Sequence, residues 1–325
     1  MSYIYKSNLA PYIYGVLQQK HTLGFSYDGG AFNFSQFDKL CLEKYPNEKT
    51  LTKEIALDWA TIRSTETKGG FAGRLCAIRE LARYMNREGV DSYVIPFNIG
   101  SPPHKTFVPH IFSTDELIKL FNAADNIIPN PQYPINHLVI PVIFRLMLTC
   151  GLRPQEALPI KCKDVNLKEG TIFIPEGKRS RDRIIVMSTD MQHLCKRFND
   201  VIHFAYPDRE FFFPGNRTPH PTSEWLRNAL FRMRRDANLL ECTGNTPRPY
   251  DFRHTFSTRT LFRWLNEGRD LNNCLPYLSV YMGHSKFEST SYYIHLIPEF
   301  FPQMKELVCN NHKYLIPEVS EFEDN

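Results

Sequence analysis

Apolar residues recur every three or four positions along most of the 325-residue chain, the period of helices that bury one face. The spacing predicts four helices in the first hundred residues, over 8–20, 33–45, 52–64 and 71–88. The last is the clearest. Phe71, Leu75, Ile78, Leu81, Ala82 and Met85 make an inward stripe, while Arg79, Arg83 and Arg87 recur four apart on another face. From 92 to 112 the periodicity lapses, and Pro96, Gly100, Pro102, Pro103 and Pro109 mark a linker. It ends at Ser113-Thr114-Asp115-Glu116, a capping box that opens a helix over 113–124 with Leu117, Leu120 and Phe121 inward. Another apolar helix is expected over 134–149, with Gly151 at its stop. Thr171-Ile172-Phe173-Ile174 and Arg183-Ile184-Ile185-Val186 then switch to β-rich runs joined by a polar, basic turn. They read as a hairpin with Lys178 in or beside its tip. Helices follow near 189–204, 222–237, 251–267, 271–282 and 286–296. The expected fold class is mostly α with a small β-sheet, an α+β domain behind a helical first one.

Composition narrows the setting. With 42% hydrophobic residues the chain can bury a substantial core. The longest apolar run, Leu138 to Cys150, is interrupted by Pro141 and Arg145 and is too short for a membrane span. The first residues lack the apolar core of a signal peptide. A cytoplasmic protein without a membrane partner is expected. The eight cysteines, at 41, 76, 150, 162, 195, 242, 274 and 309, form no CxxC pair, and the eleven histidines show no metal spacing. Free thiols, no metal site and no cofactor are expected. The net charge of +4 is too small to define a partner. Its distribution says more: Lys161, Lys163, Lys168, Lys178, Arg179, Arg181 and Arg183 crowd one region, while Glu318, Glu321, Glu323 and Asp324 load the end. That pattern suits a basic working surface with an acidic tail, or simply a solvated face.

Candidate chemistry sits in four short motifs: Gly151-Leu152-Arg153-Pro154-Gln155-Glu156, Gly177-Lys178, Tyr250-Asp251-Phe252-Arg253-His254, and Gly283-His284-Ser285 through Thr290-Ser291-Tyr292-Tyr293-Ile294-His295. Each has an ordinary reading alone. Arg153 could pair with Glu156, Arg253 could open a helix behind Asp251, His284 could cap a helix, and Tyr292 and Tyr293 could be core aromatics. Together they are a set suited to attacking a phosphodiester without metal.

The ordered set resembles the tyrosine recombinase (phage integrase) family over roughly 110–306. The resemblance implies a helical, SAM-like core-binding domain at 1–95, a linker at 96–112, a catalytic domain at 113–306 and a tail at 307–325. The apolar residues Phe300, Phe301, Met304, Leu307 and Val308 near that tail would pack on their own domain or dock on a neighbouring protomer. Implied partners are double-stranded DNA at a specific site and further copies of the chain, a tetramer on paired sites, with room for accessory DNA-bending proteins. The location would be nucleoid-associated. Tyr293 would attack the scissile phosphate to give a 3′-phosphotyrosyl link and a free 5′-hydroxyl. Arg153 and Arg253 offer planar forks that match phosphate, His284 a further donor, and Lys178 a proton for the departing 5′-oxygen. Glu156 and His254 would support them, and Arg79, Arg83, Arg87, Arg179 and Arg181 are candidate DNA contacts. Tyr293 is favoured over Tyr292 by its nine-residue interval from His284 and its Tyr-x-His ending; on a helix the two point about 100° apart. The chain departs from the family at Tyr250, where histidine or lysine is usual. A phenol can donate a hydrogen bond but is a poor proton acceptor at neutral pH. A type IB topoisomerase-like relaxer and a non-catalytic DNA-binding regulator are the alternatives.

Overall fold

The computed structural model describes residues 3–100, 108–175, 182–240, 246–284 and 288–293. The chain divides into two compact units, Met1–Phe107 and Val108–Asn325. In the first, α1 (Ala10–Thr22), α2 (Asp28–Lys44), α3 (Lys53–Trp59) and α4 (Lys68–Arg87) enclose Ile13, Phe34, Phe37, Ile55, Leu75, Ile78, Leu81 and Met85. Helix α2 begins earlier than its apolar spacing suggests. Tyr27 takes a left-handed backbone (φ 50°) and lays its ring where a Cβ at residue 30 would stand, so Gly30 is accommodated rather than helix-breaking. Helix α3 stops short of 64 because Arg74 caps it. That guanidinium donates to the carbonyls of Trp59 and Thr61 and pairs with Glu66 at 2.7 Å.

Arg79 corrects the expected arginine row. Its residue is only 6% exposed, and it donates to the carbonyls of Ile95 (2.9 Å), Pro96 (2.8 Å) and Ile99 (2.5 Å). The non-helical stretch after α4 leaves the Ile95 and Ile99 carbonyls without backbone donors, and Arg79 supplies them while adding a second donor to Pro96 O, which also receives the Ile99 N–H. It is therefore not a surface contact for phosphate. Arg83 and Arg87 are exposed. Ile95 and Ile99 pack on the first core, so the segment expected as linker begins as part of that unit.

The second unit contains α5 (Thr114–Asp125), α6 (Asn136–Cys150), α7 (Pro154–Ala157), a 3-10 turn at Cys162–Asp164, the strands β1 (Val165–Asn166), β2 (Thr171–Ile174) and β3 (Arg183–Val186), and then α8 (Thr189–Ala205), α9 (Ser223–Asp236), α10 (Asp251–Asn266), α11 (Leu271–Met282) and α12 (Glu288–Ser291). The capping box forms as expected, with Glu116 N–H on Ser113 at 3.2 Å and Ser113 N–H on Glu116 at 2.7 Å. The sheet is antiparallel in the order β1-β2-β3, with Ile172 opposite Ile185 and Ile174 opposite Arg183. Strand β1 and helix α7 were not anticipated, being too short to carry a period.

Helix α6 runs through the middle of this core and packs on α10 and α8. Phe252 of α10 lies against Phe112 at 4.6 Å and Phe144 at 5.2 Å between ring centroids. The Phe112 N–H donates to Thr255 Oγ1 at 3.0 Å, which fixes the start of the unit against α10. Among the described residues no helix is long and apolar enough to cross a membrane. Cys41, Cys150 and Cys195 are buried free thiols, whereas Cys76 is exposed; Cys242 and Cys309 lie outside the described residues.

Candidate active site

Two helix ends build the site. Helix α6 closes on Gly151 (φ 64°) and α11 on Gly283 (φ 63°), both left-handed, a conformation glycine adopts without penalty. A Cβ at 151 would stand 2.5 Å from the Phe256 ring. The last carbonyls of a helix lack internal donors and carry the negative end of its dipole, so they attract cations. Arginines answer them in a crossed pattern. Arg253, on α10 and fully buried, donates to Gly151 O at 2.7 Å and Met282 O at 2.5 Å. Arg153, just after α6, donates across to Gly283 O at 2.7 Å. Residues 102 and 130 apart in sequence are thereby drawn together.

Glu156 sits in the middle. Its carboxylate receives Arg153 Nη1 at 2.6 Å, the Arg153 backbone N–H at 2.8 Å and Arg183 Nη2 at 2.7 Å, with Arg253 Nη1 at 3.9 Å. Burial alone would raise its pKa, but the hydrogen bonds and charges of Arg183 and Arg153 outweigh burial and hold it below the usual carboxylate range. Arg183 is the residue that the motifs missed. It opens β3, its side chain is 7% exposed, and its Nε also donates to Tyr281 O at 3.0 Å.

His284 follows Gly283. Its Nε2 lies 3.0 Å from Arg253 Nη2 and its Nδ1 2.7 Å from Thr290 Oγ1. A guanidinium can only donate, so Nε2 is the acceptor and the ring proton resides on Nδ1, donated to Thr290. Burial, reinforced by the charges of Arg253, Arg153 and Arg183, pushes the His284 pKa down to about 3. The imidazole is neutral at physiological pH.

Tyr293 is 2% exposed and stacks on His284, with ring centroids 6.0 Å apart at 21°. Burial raises its pKa; the Arg253 charge and hydrogen bonds with Ser257 and Arg253 oppose that rise. The phenol thus lies within the electrostatic reach of one of the two motif arginines. Tyr250 lies near the other, where with Glu156 it favours the charged Arg153 guanidinium. His254 lies between the two phenols, 5.0 Å from Tyr250 and 5.5 Å from Tyr293 by ring centroids. Its pKa is lowered to about 4, by burial first and then by Arg248 and Arg253. Tyr292 is half-buried beside Tyr293 at 6.2 Å. The structure therefore brings Arg153, Arg253, His284, Tyr293, Tyr250, Glu156 and His254 together. Lys178, Arg179 and Arg181 lie outside the described residues. Thr290 also went unnoticed as a partner, since only the folded chain puts its hydroxyl on His284.

Comparison with known proteins bears on the family and the fold. A family model described as the phage integrase family matches residues 111–299. One relative, named as an integrase/recombinase in Sinorhizobium fredii, is 27% identical over 284 residues, 85% of this chain and 87% of that one. The tyrosine recombinase XerC of Oceanobacillus iheyensis is 26% identical over 247 residues, 74% of this chain and 73% of that one. Among solved structures, the XerH site-specific recombinase bound to a palindromic difH substrate matches with TM-score 0.62 at 18% identity, covering 87% of this chain and 78% of that one. A lambda integrase fragment bound to a core site matches with TM-score 0.56 at 16% identity, covering 81% and 87%. The structural likenesses share the fold, and the family match spans more than half of the sequence: the chain belongs to the phage integrase family.

Proposed function

We propose that this protein is a site-specific DNA recombinase that cleaves and rejoins DNA through a covalent 3′-phosphotyrosyl link on Tyr293. One observation carries the reading: a phenol buried to 2% exposure stacks on a neutral histidine that contacts a wholly buried arginine. A core tyrosine needs no such partners. A nucleophile for a phosphodiester does, because in-line attack gathers negative charge on the non-bridging oxygens.

The charges fit. Three guanidiniums, of Arg153, Arg183 and Arg253, surround one carboxylate, Glu156. The site therefore has cationic excess for the additional negative charge of the pentacoordinate transition state. Arg153 and Arg253 hold the phosphate and Lys178 protonates the departing 5′-oxygen. Burial first, and the arginine charges second, keep His284 neutral; arrival of the anion counters those charges. The His284 pKa rises, and Nε2, which accepts from Arg253 in the empty site, becomes a donor to the phosphate. Tyr250 keeps a hydrogen-bonding role through Arg153. The intermediate conserves the energy of the phosphodiester, so a second 5′-hydroxyl can reverse the step without an energy cofactor. Recombination then requires self-association on paired sites, a tetramer, with Arg83 and Arg87 of the first unit serving as backbone contacts. Accessory DNA-bending proteins would assist assembly.

The test is covalent capture from a library of nicked duplexes, where loss of the short product traps the adduct. The unaltered chain should yield adducts at one recurring sequence, and Y292F should too, whereas Y293F should yield none. Adducts spread over unrelated sequences, with relaxation of any plasmid, would favour the topoisomerase-like alternative. Sequence-selective binding without any adduct would favour a non-catalytic regulator.

A further inference from the structure

Arg183 opens strand β3, yet its guanidinium is tied to other elements of the unit. Nη2 meets Glu156 at 2.7 Å, Glu156 meets Arg153 Nη1 at 2.6 Å, and Arg153 Nη2 meets Gly283 O at 2.7 Å. The backbone from Gly283 back to Tyr281 then returns to Arg183, whose Nε holds Tyr281 O at 3.0 Å. These contacts close a ring through the start of β3, the turn after α6 and the end of α11. The ring passes through one of the two phosphate arginines and through the turn that presents His284.

Three features argue that the ring serves geometry rather than stability. Buried ion pairs contribute little net stability, because desolvating the charges offsets their attraction. Arg183 Nη1 is buried with no hydrogen-bond partner among the described residues, a cost that a purely structural side chain at this position would avoid. Finally, the guanidinium packs closely against residue 283, where glycine leaves it room. A Cβ there would stand 3.0 Å from Nη1, and the left-handed turn that aims the Gly283 carbonyl at Arg153 depends on the same glycine.

We propose that Arg183 is a positioning residue of the recombination reaction: through Glu156 it sets the angle of the Arg153 fork, and through Tyr281 it sets the height of the His284 turn. It touches no reacting atom itself. The inference rests on the phosphoryl-transfer reading above and adds a residue outside the motifs. Misplacing a catalytic group by about 1 Å costs on the order of a hundredfold in rate, so the effect is expected in the chemical step and not in DNA affinity.

The experiment uses the full chain and a duplex carrying its captured cleavage sequence, with either an ordinary scissile phosphodiester or a neutral methylphosphonate there. Methylphosphonate removes one non-bridging anion and with it much of the need for an aligned second arginine. On the phosphodiester, R183A and R153A should both form adducts about a hundredfold more slowly than the unaltered chain, with DNA binding by filter retention within about twofold. On the methylphosphonate both should come within about fivefold of it. R183K covers the case in which R183A fails to fold. It keeps the charge but lacks the fork that spans Glu156 and Tyr281, so its adduct rate should fall about tenfold and recover on the neutral substrate. An R183K rate equal to the unaltered chain's, or an equal defect of the Arg183 variants on both substrates, would overturn the role of Arg183. No adduct from the unaltered chain on either substrate would instead sink the recombinase reading itself.

Discussion

Replacing Glu156 with Gln removes the one carboxylate among three guanidiniums while keeping its shape. In the folded chain its oxygens lie 2.6 Å from Arg153 and 2.7 Å from Arg183, its side chain is 12% exposed, and Arg253 stands 3.9 Å away. Breaking a buried pair by removing one partner typically costs about 3–5 kcal/mol, since the remaining charges stay desolvated. The amide keeps one acceptor, so the lower figure, about 3 kcal/mol, is the expectation. The sign differs for DNA: greater positive charge should leave non-covalent affinity unchanged or tighter, while covalent cleavage falls about a hundredfold as the Arg153 fork loses alignment. Amide hydrogen exchange over the peptides of α6, α7 and α11 reads the local loss without assuming that both units unfold together. The pH dependence is a second check. Because the folded Glu156 pKa is held below its unfolded value, its stabilisation is full above about pH 4.5 and is lost as pH falls through the folded value. The gap between the unaltered chain and E156Q should therefore close in acid. A loss under about 1 kcal/mol with undiminished cleavage would refute the reasoning, and would mean that the Gly283 carbonyl alone holds Arg153.

The other expectations are briefer. R79A should destabilise the first unit by about 2–4 kcal/mol by orphaning the carbonyls of Ile95 and Ile99, while R83A/R87A should leave its melting unchanged and weaken the salt dependence of DNA binding; the reverse pattern would contradict the burial of Arg79. Y250F should slow adduct formation about tenfold by freeing the Arg153 fork, and an unchanged rate would remove Tyr250 from the reaction. His284 and His254, with folded pKa values of about 3 and about 4, lie below the unfolded value near 6.5. The unfolded chain binds more protons in that window, so stability should fall as pH drops below about 6.5, and H284N should show a shallower acid slope. An identical slope would mean that His284 is not held neutral.

Much of the site could be read from the sequence because its residues stand in short motifs. Gly151-Leu152-Arg153 and Gly283-His284 are helix stops followed within two residues by the candidate side chain, so the turn glycine and the proposed chemistry announce each other. Arg183 did not stand out because it follows Lys178, Arg179 and Arg181 in a run that reads as solvated charge. The alternation of β3 held the signal. Residues 183 and 185 face inward while 184 and 186 face out, so the register that buries Ile185 also buries Arg183. Arg79 was misread for the opposite reason. A four-residue recurrence with Arg83 and Arg87 suggests one exposed face, but the carbonyls of 95, 96 and 99 that draw Arg79 inward become visible only once the chain after α4 has folded back. The short elements α7 and β1 left no period to detect.

In the proposed reaction residue 293 becomes covalently joined to DNA. Digesting captured adduct with protease and nuclease, then sequencing the modified peptide by tandem mass spectrometry, locates the bond directly. The expected product is a nucleotide 3′-phosphate on the Tyr293 phenol and a free 5′-hydroxyl on the released strand. A modified Tyr292, or a 5′-phosphate linkage at either tyrosine, would contradict it.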